Sequence, residues 1–275
     1  MELIAPALAT TELTQAEIAA FNENGYHFHG KLFSDEEIDA LRAACERVCQ
    51  GIYETGSPPD WAGWKPGDDL LEVRKFDNCW KADRTIAAAV LSPRLGHIAA
   101  QLISAPSIQL WHDQFLHKPP FGGKVITYHQ DWAYWQAIDI CKTVTCWIAL
   151  DDVRPDSGPM VFLKGSNKLG LFPLPKGISG DDVQAPVMPP NVHCPAVPVI
   201  IPAGHVSFHH GLTLHGSDRN TSPITRRAMV SHVMSGECKY RLGQNHGNID
   251  TMKTYPIYPK PGEHFCGPQF PKIYP

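Results

Sequence analysis

Apolar positions in the first fifty residues recur at helical spacing. Thr14-Gln15-Ala16-Glu17 reads as a capping box that leads into Ile18, Ala19 and Phe21 and ends near Gly25. A second start, Ser34-Asp35-Glu36-Glu37, leads into the stripe Ile38, Leu41, Ala44, Cys45 and Val48. A short extended piece, residues 26–33, lies between the two helices. The pattern predicts one more helix over residues 86–103. From about residue 106 the character changes. Short runs with strand-like composition, 108–117, 125–135, 143–151, 160–163, 197–208 and 226–234, alternate with Pro/Gly turns. Pro119-Pro120-Phe121-Gly122-Gly123 and Pro155-Asp156-Ser157-Gly158-Pro159 are two such turns. Six or more strands with this punctuation predict a mainly β fold with flanking helices, either an antiparallel barrel or a double-sheet jelly roll.

This layout reads as one domain over residues 1–275. Residues 1–105 form a helical and extended flank, 106–235 the β core, and 236–275 a tail that drapes over the barrel without building it. Residues 167–196 hold six prolines and three glycines and read as a long insertion loop, a frequent place for a lid.

Composition narrows the class. A chain of 275 residues with 43% hydrophobic and 19% charged residues can bury a sizeable core. Its net charge of −4, with no long basic run, gives no electrostatic footprint for nucleic acid. No apolar run approaches a membrane span, and the first eleven residues lack the parts of a signal peptide. The expectation is a cytoplasmic protein that meets small molecules. The eight cysteines are scattered without a C-x-x-C, so they read as buried thiols in a reducing compartment.

The chemistry centres on His129-Gln130-Asp131, the only H-x-D or H-x-E in the chain. On a strand, residues two apart share a face, so an imidazole and a carboxylate would aim at one point. His215 on a later strand-like segment, with His205, His209, His210 and His232 as its rivals, would complete a 2-His-1-carboxylate face, the set that suits non-haem Fe(II) and leaves three octahedral positions open. The triplet alone is expected about once by chance in a chain with this many His and Asp. Its weight comes from the partner segment. Ser217 follows His215 by two residues, and Arg226 opens the next strand. Arg226 carries a guanidinium fork able to grip a carboxylate at both oxygens. Its neighbour Arg227 would face the other way, to solvent or an acidic partner. His209 and His210 read as imidazoles packed near the site. By strand alternation Trp135 shares the face of His129 and Asp131 and is the candidate substrate wall. Cys238, His246 and Tyr255 in the tail are further candidates for substrate contact.

At these residues the chain resembles the phytanoyl-CoA dioxygenase family of 2-oxoglutarate oxygenases. The matching stretches are Lys118-Pro119-Pro120, His129-Gln130-Asp131-Trp132, Thr145 to Asp151, Ser157-Gly158 through Gly165-Ser166, and His209-His210 through Arg226-Arg227-Ala228. The resemblance covers about residues 12–235. It implies a double-stranded β-helix (jelly roll, cupin-like) with flanking helices. It implies His129, Asp131 and His215 as iron ligands and Arg226 as the holder of the 2-oxoglutarate C5 carboxylate. Trp147 and Gln114 fall at positions that line the co-substrate site. The retained carboxylate ligand implies oxygen chemistry over halogenation. In some members a co-substrate lysine precedes the barrel. Here that region reads Glu72-Val73-Arg74-Lys75, and the sequence does not say which residue takes the place.

The activity expected is an Fe(II)- and 2-oxoglutarate-dependent dioxygenase that uses O2 to oxidise, foremost to hydroxylate, a C–H bond of a small metabolite, with release of succinate and CO2. Desaturation, epoxidation and ring formation are the variant outcomes. Two other readings stand beside it: a cupin-like metalloenzyme, isomerase or hydrolase, without 2-oxoglutarate, and a non-catalytic β-barrel binding module. Rossmann, P-loop and nucleophile-elbow motifs are missing from the sequence.

Overall fold

The computed structural model describes residues 8–175, 179–180, 186–243 and 246–275. Helix α1 (Gln15–Asn24) and helix α2 (Asp35–Cys49) flank strand β1 (Tyr26–Lys31). Both helices carry the capping box read from the sequence: Thr14 and Ser34 each accept from the N3 amide while Glu17 and Glu37 reach back. Gly25 ends α1 at φ 84°, a conformation glycine adopts without strain. Strands β2 (Trp61–Ala62) and β3 (Arg74–Asp77) follow. The helix expected over 86–103 is two helices, α3 (Arg84–Val90) and α4 (Pro93–Leu102). Pro93 cannot continue α3, and its fixed φ suits the first position of α4.

The core strands are β4 (Ile108–Lys118), β5 (Val125–His129), β6 (Thr143–Ala149), β7 (Met160–Leu163), β8 (Ser179–Gly180), β9 (Ala196–Pro198), β10 (His205–His210), β11 (His215–Ser217) and β12 (Arg226–Ser235). Helix α5 (Asp131–Tyr134) interrupts the run that reads as one strand to residue 135. The run 197–208 is likewise split between β9 and β10. The tail contributes helix α6 (Gly247–Met252) and a last strand, β13 (Lys272–Tyr274), which pairs with β4. It therefore adds a strand to the barrel as well as draping over it. The insertion loop expected at 167–196 lies partly outside the described residues.

Two antiparallel sheets face each other. The major sheet runs β1-β10-β6-β12-β4-β3-β2 with β13 on β4, and the minor sheet runs β8-β5-β11-β7-β9. This is the double-stranded β-helix, with the helices covering one outer face. Alternation along the strands gives each face its job. Leu32, Ile38, Leu41, Val144, Cys146, Ile148, Met229 and Val233 pack into the core between the helices and the major sheet. The residues in between, such as Thr145, Trp147, Val230 and His232, face the barrel interior and line a cavity there. At one end of the barrel Trp111 stacks on Phe270 at 5.5 Å between ring centres, with Phe265 edge-on at 5.6 Å. Among the described residues no helix is long and apolar enough to cross a membrane, and all eight cysteines are free.

Candidate metal centre

β5 and β11 are neighbours in the minor sheet, and their register sets His215 directly opposite His129. The imidazole centres are 4.3 Å apart. Both histidines follow a threonine by two residues, and each ring donates from Nδ1 to that threonine's carbonyl: His129 to Thr127 at 2.8 Å, His215 to Thr213 at 2.9 Å. The bond fixes the tautomer, so each Nε2 presents a bare lone pair to the interior.

Asp131 comes from a different local structure than the sequence suggests. The strand stops at His129, and Asp131 is the first residue of the one-turn helix α5. Its Oδ1 lies 3.7 Å from His129 Nε2 and 3.6 Å from His215 Nε2. One ligand atom from each of the three buried residues lies within 4.8 Å of the others. Two lone pairs and a carboxylate oxygen thus converge with no proton between them. That repulsive arrangement fits a cation, and the donor set of two imidazoles and one carboxylate fits Fe(II). Burial would raise the Asp131 carboxyl, but the charges and hydrogen bonds around it hold it well below the usual range. Burial and the neighbouring His129 push His215 well down, which keeps it neutral and able to ligate.

The other oxygen, Oδ2, is engaged elsewhere. Thr145 Oγ1 donates to it at 2.5 Å and His209 Nε2 lies 3.1 Å away. His232 Nδ1 is 2.8 Å from Thr145 Oγ1, and its Nε2 is 3.3 Å from the Gln114 carboxamide. The sequence points to His209 as a hydrogen-bonded imidazole near the site but not to its partner, and it gives Thr145 no contact of its own. The available signal was parity, because both residues are cross-strand neighbours on the inner face of the major sheet.

The cavity over this cluster has a volume of about 470 Å³. Gln114, Trp147, Ser217 and Arg226 all line it. Arg226 is 3% exposed; its Nη2 donates to Gly158 O at 2.8 Å, while its Nε is buried without a hydrogen-bond partner among the described residues. Burial pulls its pKa down to about 10, so it stays a cation at neutral pH. Opposite it across β12 and β4 sits Lys118, whose Nζ donates to Ser217 Oγ at 2.7 Å and to Asp218 O. A buried guanidinium, a buried lysine amine and a hydroxyl at one end of a cavity form an anion pocket. Arg227 faces outward and pairs with Asp151 at 2.7 Å, as alternation requires.

In the region Glu72 to Lys75, β3 sets the directions of Arg74 and Lys75. Lys75 points into the cavity, while Arg74 turns to the opposite side over the Trp64 ring. Trp135 does not line the cavity. The helical turn at α5 breaks the alternation that put it beside Asp131, and its buried ring stands edge-on behind His232 at 4.8 Å. Cys238 is buried in a separate aromatic cluster, His246 packs on Trp111 and His112, and the Tyr255 ring lies 5.8 Å from Lys81 Nζ. None of these three lines the cavity.

Comparison with known proteins places this geometry. The family model described as phytanoyl-CoA dioxygenase matches residues 21–228. The peroxisomal phytanoyl-CoA dioxygenase of Rattus norvegicus is 26% identical over 80% of this chain and 68% of its own length. The ectoine dioxygenase of Stutzerimonas stutzeri is 26% identical over 82% of this chain and 80% of its own. Among solved structures, the non-heme alpha ketoglutarate dependent carbocyclase SnoK from nogalamycin biosynthesis superposes with a TM-score of 0.74 at 25% identity, covering 97% of this chain and 99% of that one. EctD from S. alaskensis, with 2-oxoglutarate and 5-hydroxyectoine, superposes at 0.67 and 17% identity over 87% and 86% of the two chains, a likeness of fold. The chain belongs to the phytanoyl-CoA dioxygenase family of Fe(II)- and 2-oxoglutarate-dependent oxygenases.

Proposed function

We propose that this chain oxidises a C–H bond of a small-molecule metabolite, foremost by hydroxylation, at a centre held by His129, Asp131 and His215. The observation that carries the proposal is the pairing of two features in one cavity. The three ligand atoms converge in it, and Arg226, with Lys118 and Ser217, lines the same space. Fe(II) and 2-oxoglutarate bound there supply O2 activation coupled to decarboxylation of the co-substrate to succinate and CO2.

The residues supply position and dielectric. Arg226, Lys118 and Ser217 would hold the far carboxylate of 2-oxoglutarate, and Trp147, whose ring lies 5.7 Å from the Arg226 guanidinium carbon, would wall its chain. Gln114 would sit beside it. The apolar side chains Leu116, Ile126, Met160 and Val230 exclude water from the same space. The remaining volume is modest, which favours a small metabolite or the reactive end of a larger one. The lysines of the lining favour the first. Lys124 is paired with Glu72 at 3.1 Å and Lys75 lies 3.7 Å from Asp77, so neither adds to a cluster for the phosphates of a CoA ester. We read residues 1–275 as one oxygenase domain, because β1 and β3 from the flank and β13 from the tail join the major sheet.

The test is Fe(II)-dependent release of succinate from 2-oxoglutarate. Asp131→Ala should abolish both iron binding and succinate release. Arg226→Ala should keep iron binding and raise the KM for 2-oxoglutarate by about 30-fold or more, the cost of a lost charge-assisted contact. Full activity in Asp131→Ala, or an unchanged KM in Arg226→Ala, would overturn the assignment.

A further inference from the structure

One row of side chains crosses the inner face of the major sheet behind Asp131. His209 on β10 is the register partner of Thr145 on β6, Thr145 of His232 on β12, and His232 of His112 on β4. The row is buried throughout. Its hydrogen bonds run one way. A carboxylate only accepts, and a threonine hydroxyl has one hydrogen. Thr145 gives that hydrogen to Asp131 Oδ2, so it must accept from His232 Nδ1. His232 is fixed by its stack on His112 at 4.5 Å and by the edge of Trp135. On the other side, His209 Nδ1 is buried without a hydrogen-bond partner among the described residues. A buried ring nitrogen left unpaired is unfavourable. His209 is nevertheless held with its Nε2 on Asp131.

Both donors meet the same oxygen. Oδ2 is engaged by Thr145 and His209, while Oδ1 faces His129 and His215. We infer that Thr145 and His209 are positioning residues that restrict Asp131 to ligation through one oxygen. The inference rests on the proposed metal centre and deepens it. An octahedral ion has six places. His129, His215 and one Asp131 oxygen would take three, which would keep two for a chelating 2-oxo acid and one for O2. A carboxylate that turned to offer both oxygens would fill that last place or displace one end of the co-substrate.

The experiment is anaerobic titration of the full chain with Fe(II), then with 2-oxoglutarate. Iron affinity is followed together with the visible charge-transfer band that a chelated 2-oxo acid gives on Fe(II). Thr145→Val keeps the shape and removes the hydroxyl; Thr145→Ser restores it; His209→Leu removes the second donor. In Thr145→Val, iron affinity should stay within about threefold of the parent protein. The affinity for 2-oxoglutarate should fall about tenfold or more, and the band should weaken or shift. Thr145→Ser should recover both. His209→Leu should change them in the same sense, and it carries the test if Thr145→Val does not fold. An unchanged band and unchanged 2-oxoglutarate affinity in both variants would overturn the inference while leaving the metal centre standing. Loss of iron and co-substrate binding in parallel would make these residues structural and overturn it too. A parent protein that binds no iron and gives no band would instead refute the centre itself.

Discussion

Lys118 and Arg226 lie side by side in the barrel wall, and their chemistry makes a pH prediction. Burial pushes the Lys118 ammonium well below its ordinary range, and the Arg226 charge pushes it further; Asp218 works the other way. A dicarboxylate arriving at this end restores the countercharge, so its binding favours the protonated lysine. The sign follows. Below the pKa of Lys118 in the free protein, 2-oxoglutarate affinity should be flat. Above it, binding must take up a proton, and affinity should fall about tenfold per pH unit. Calorimetry in two buffers of different ionisation heat should show that proton uptake. Lys118→Met should abolish the slope and weaken binding about 10- to 100-fold; a slope that survives in Lys118→Met would assign it to another group. Much of this scale is legible in the sequence. Alternation alone separates Arg226 inside from Arg227 outside. Lys118 is not legible as a buried cation, because a lysine before two prolines has the signature of an exposed turn.

The strand pair β5–β11 sets the spacing of the two histidines, and Gly216 sets the spacing of the strands. A Cβ on Gly216 would lie 2.7 Å from Ile126 O and 3.1 Å from Tyr128 N, both backbone atoms that cannot swing away. Gly216→Ala should therefore push β11 off β5, cost about 1–3 kcal/mol of stability, and weaken Fe(II) binding by tenfold or more; an unchanged iron affinity at native-like stability would show that the pair tolerates the shift. Element-level reading succeeds where a local signal is strong. The two capping boxes, the long strand β4 and strand β12 stand where the pattern puts them. It fails at α5, where Asp-Trp-Ala-Tyr follows a strand with no glycine or proline to mark the change. The amide of Trp132 donates to Gly211 O at 3.0 Å, a tertiary contact that holds the turn and that no local pattern encodes.

At the scale of the molecule, the barrel is closed by segments distant in sequence. The β-rich class is legible from strand spacing, but the recruitment of β1, β3 and β13 into the major sheet is not, because register between distant strands depends on which faces find each other. The tail is the clearest case. Asn248 bridges Trp111 O, Asn78 and Gln269, while Phe265 and Phe270 cover Trp111. Phe270→Ala should cost about 3–5 kcal/mol and lower Tm by on the order of 10 °C in a scan of the metal-free protein. A shift of a degree or two would mean that the tail folds on independently of the barrel end it covers.

The three ligand atoms sit on β5, on α5 and on β11, so an ion held by them joins segments that are up to 86 residues apart along the chain. The unfolded chain has no such convergence. Free metal then behaves as a thermodynamic reagent that draws the folding equilibrium forward, adding about 2.7 kcal/mol at a hundredfold excess over its dissociation constant. In a cell, the resistance of the folded chain to proteolysis should then rise with iron supply. Scarcity would remove activity first by emptying the site and then by exposing the barrel to proteolysis.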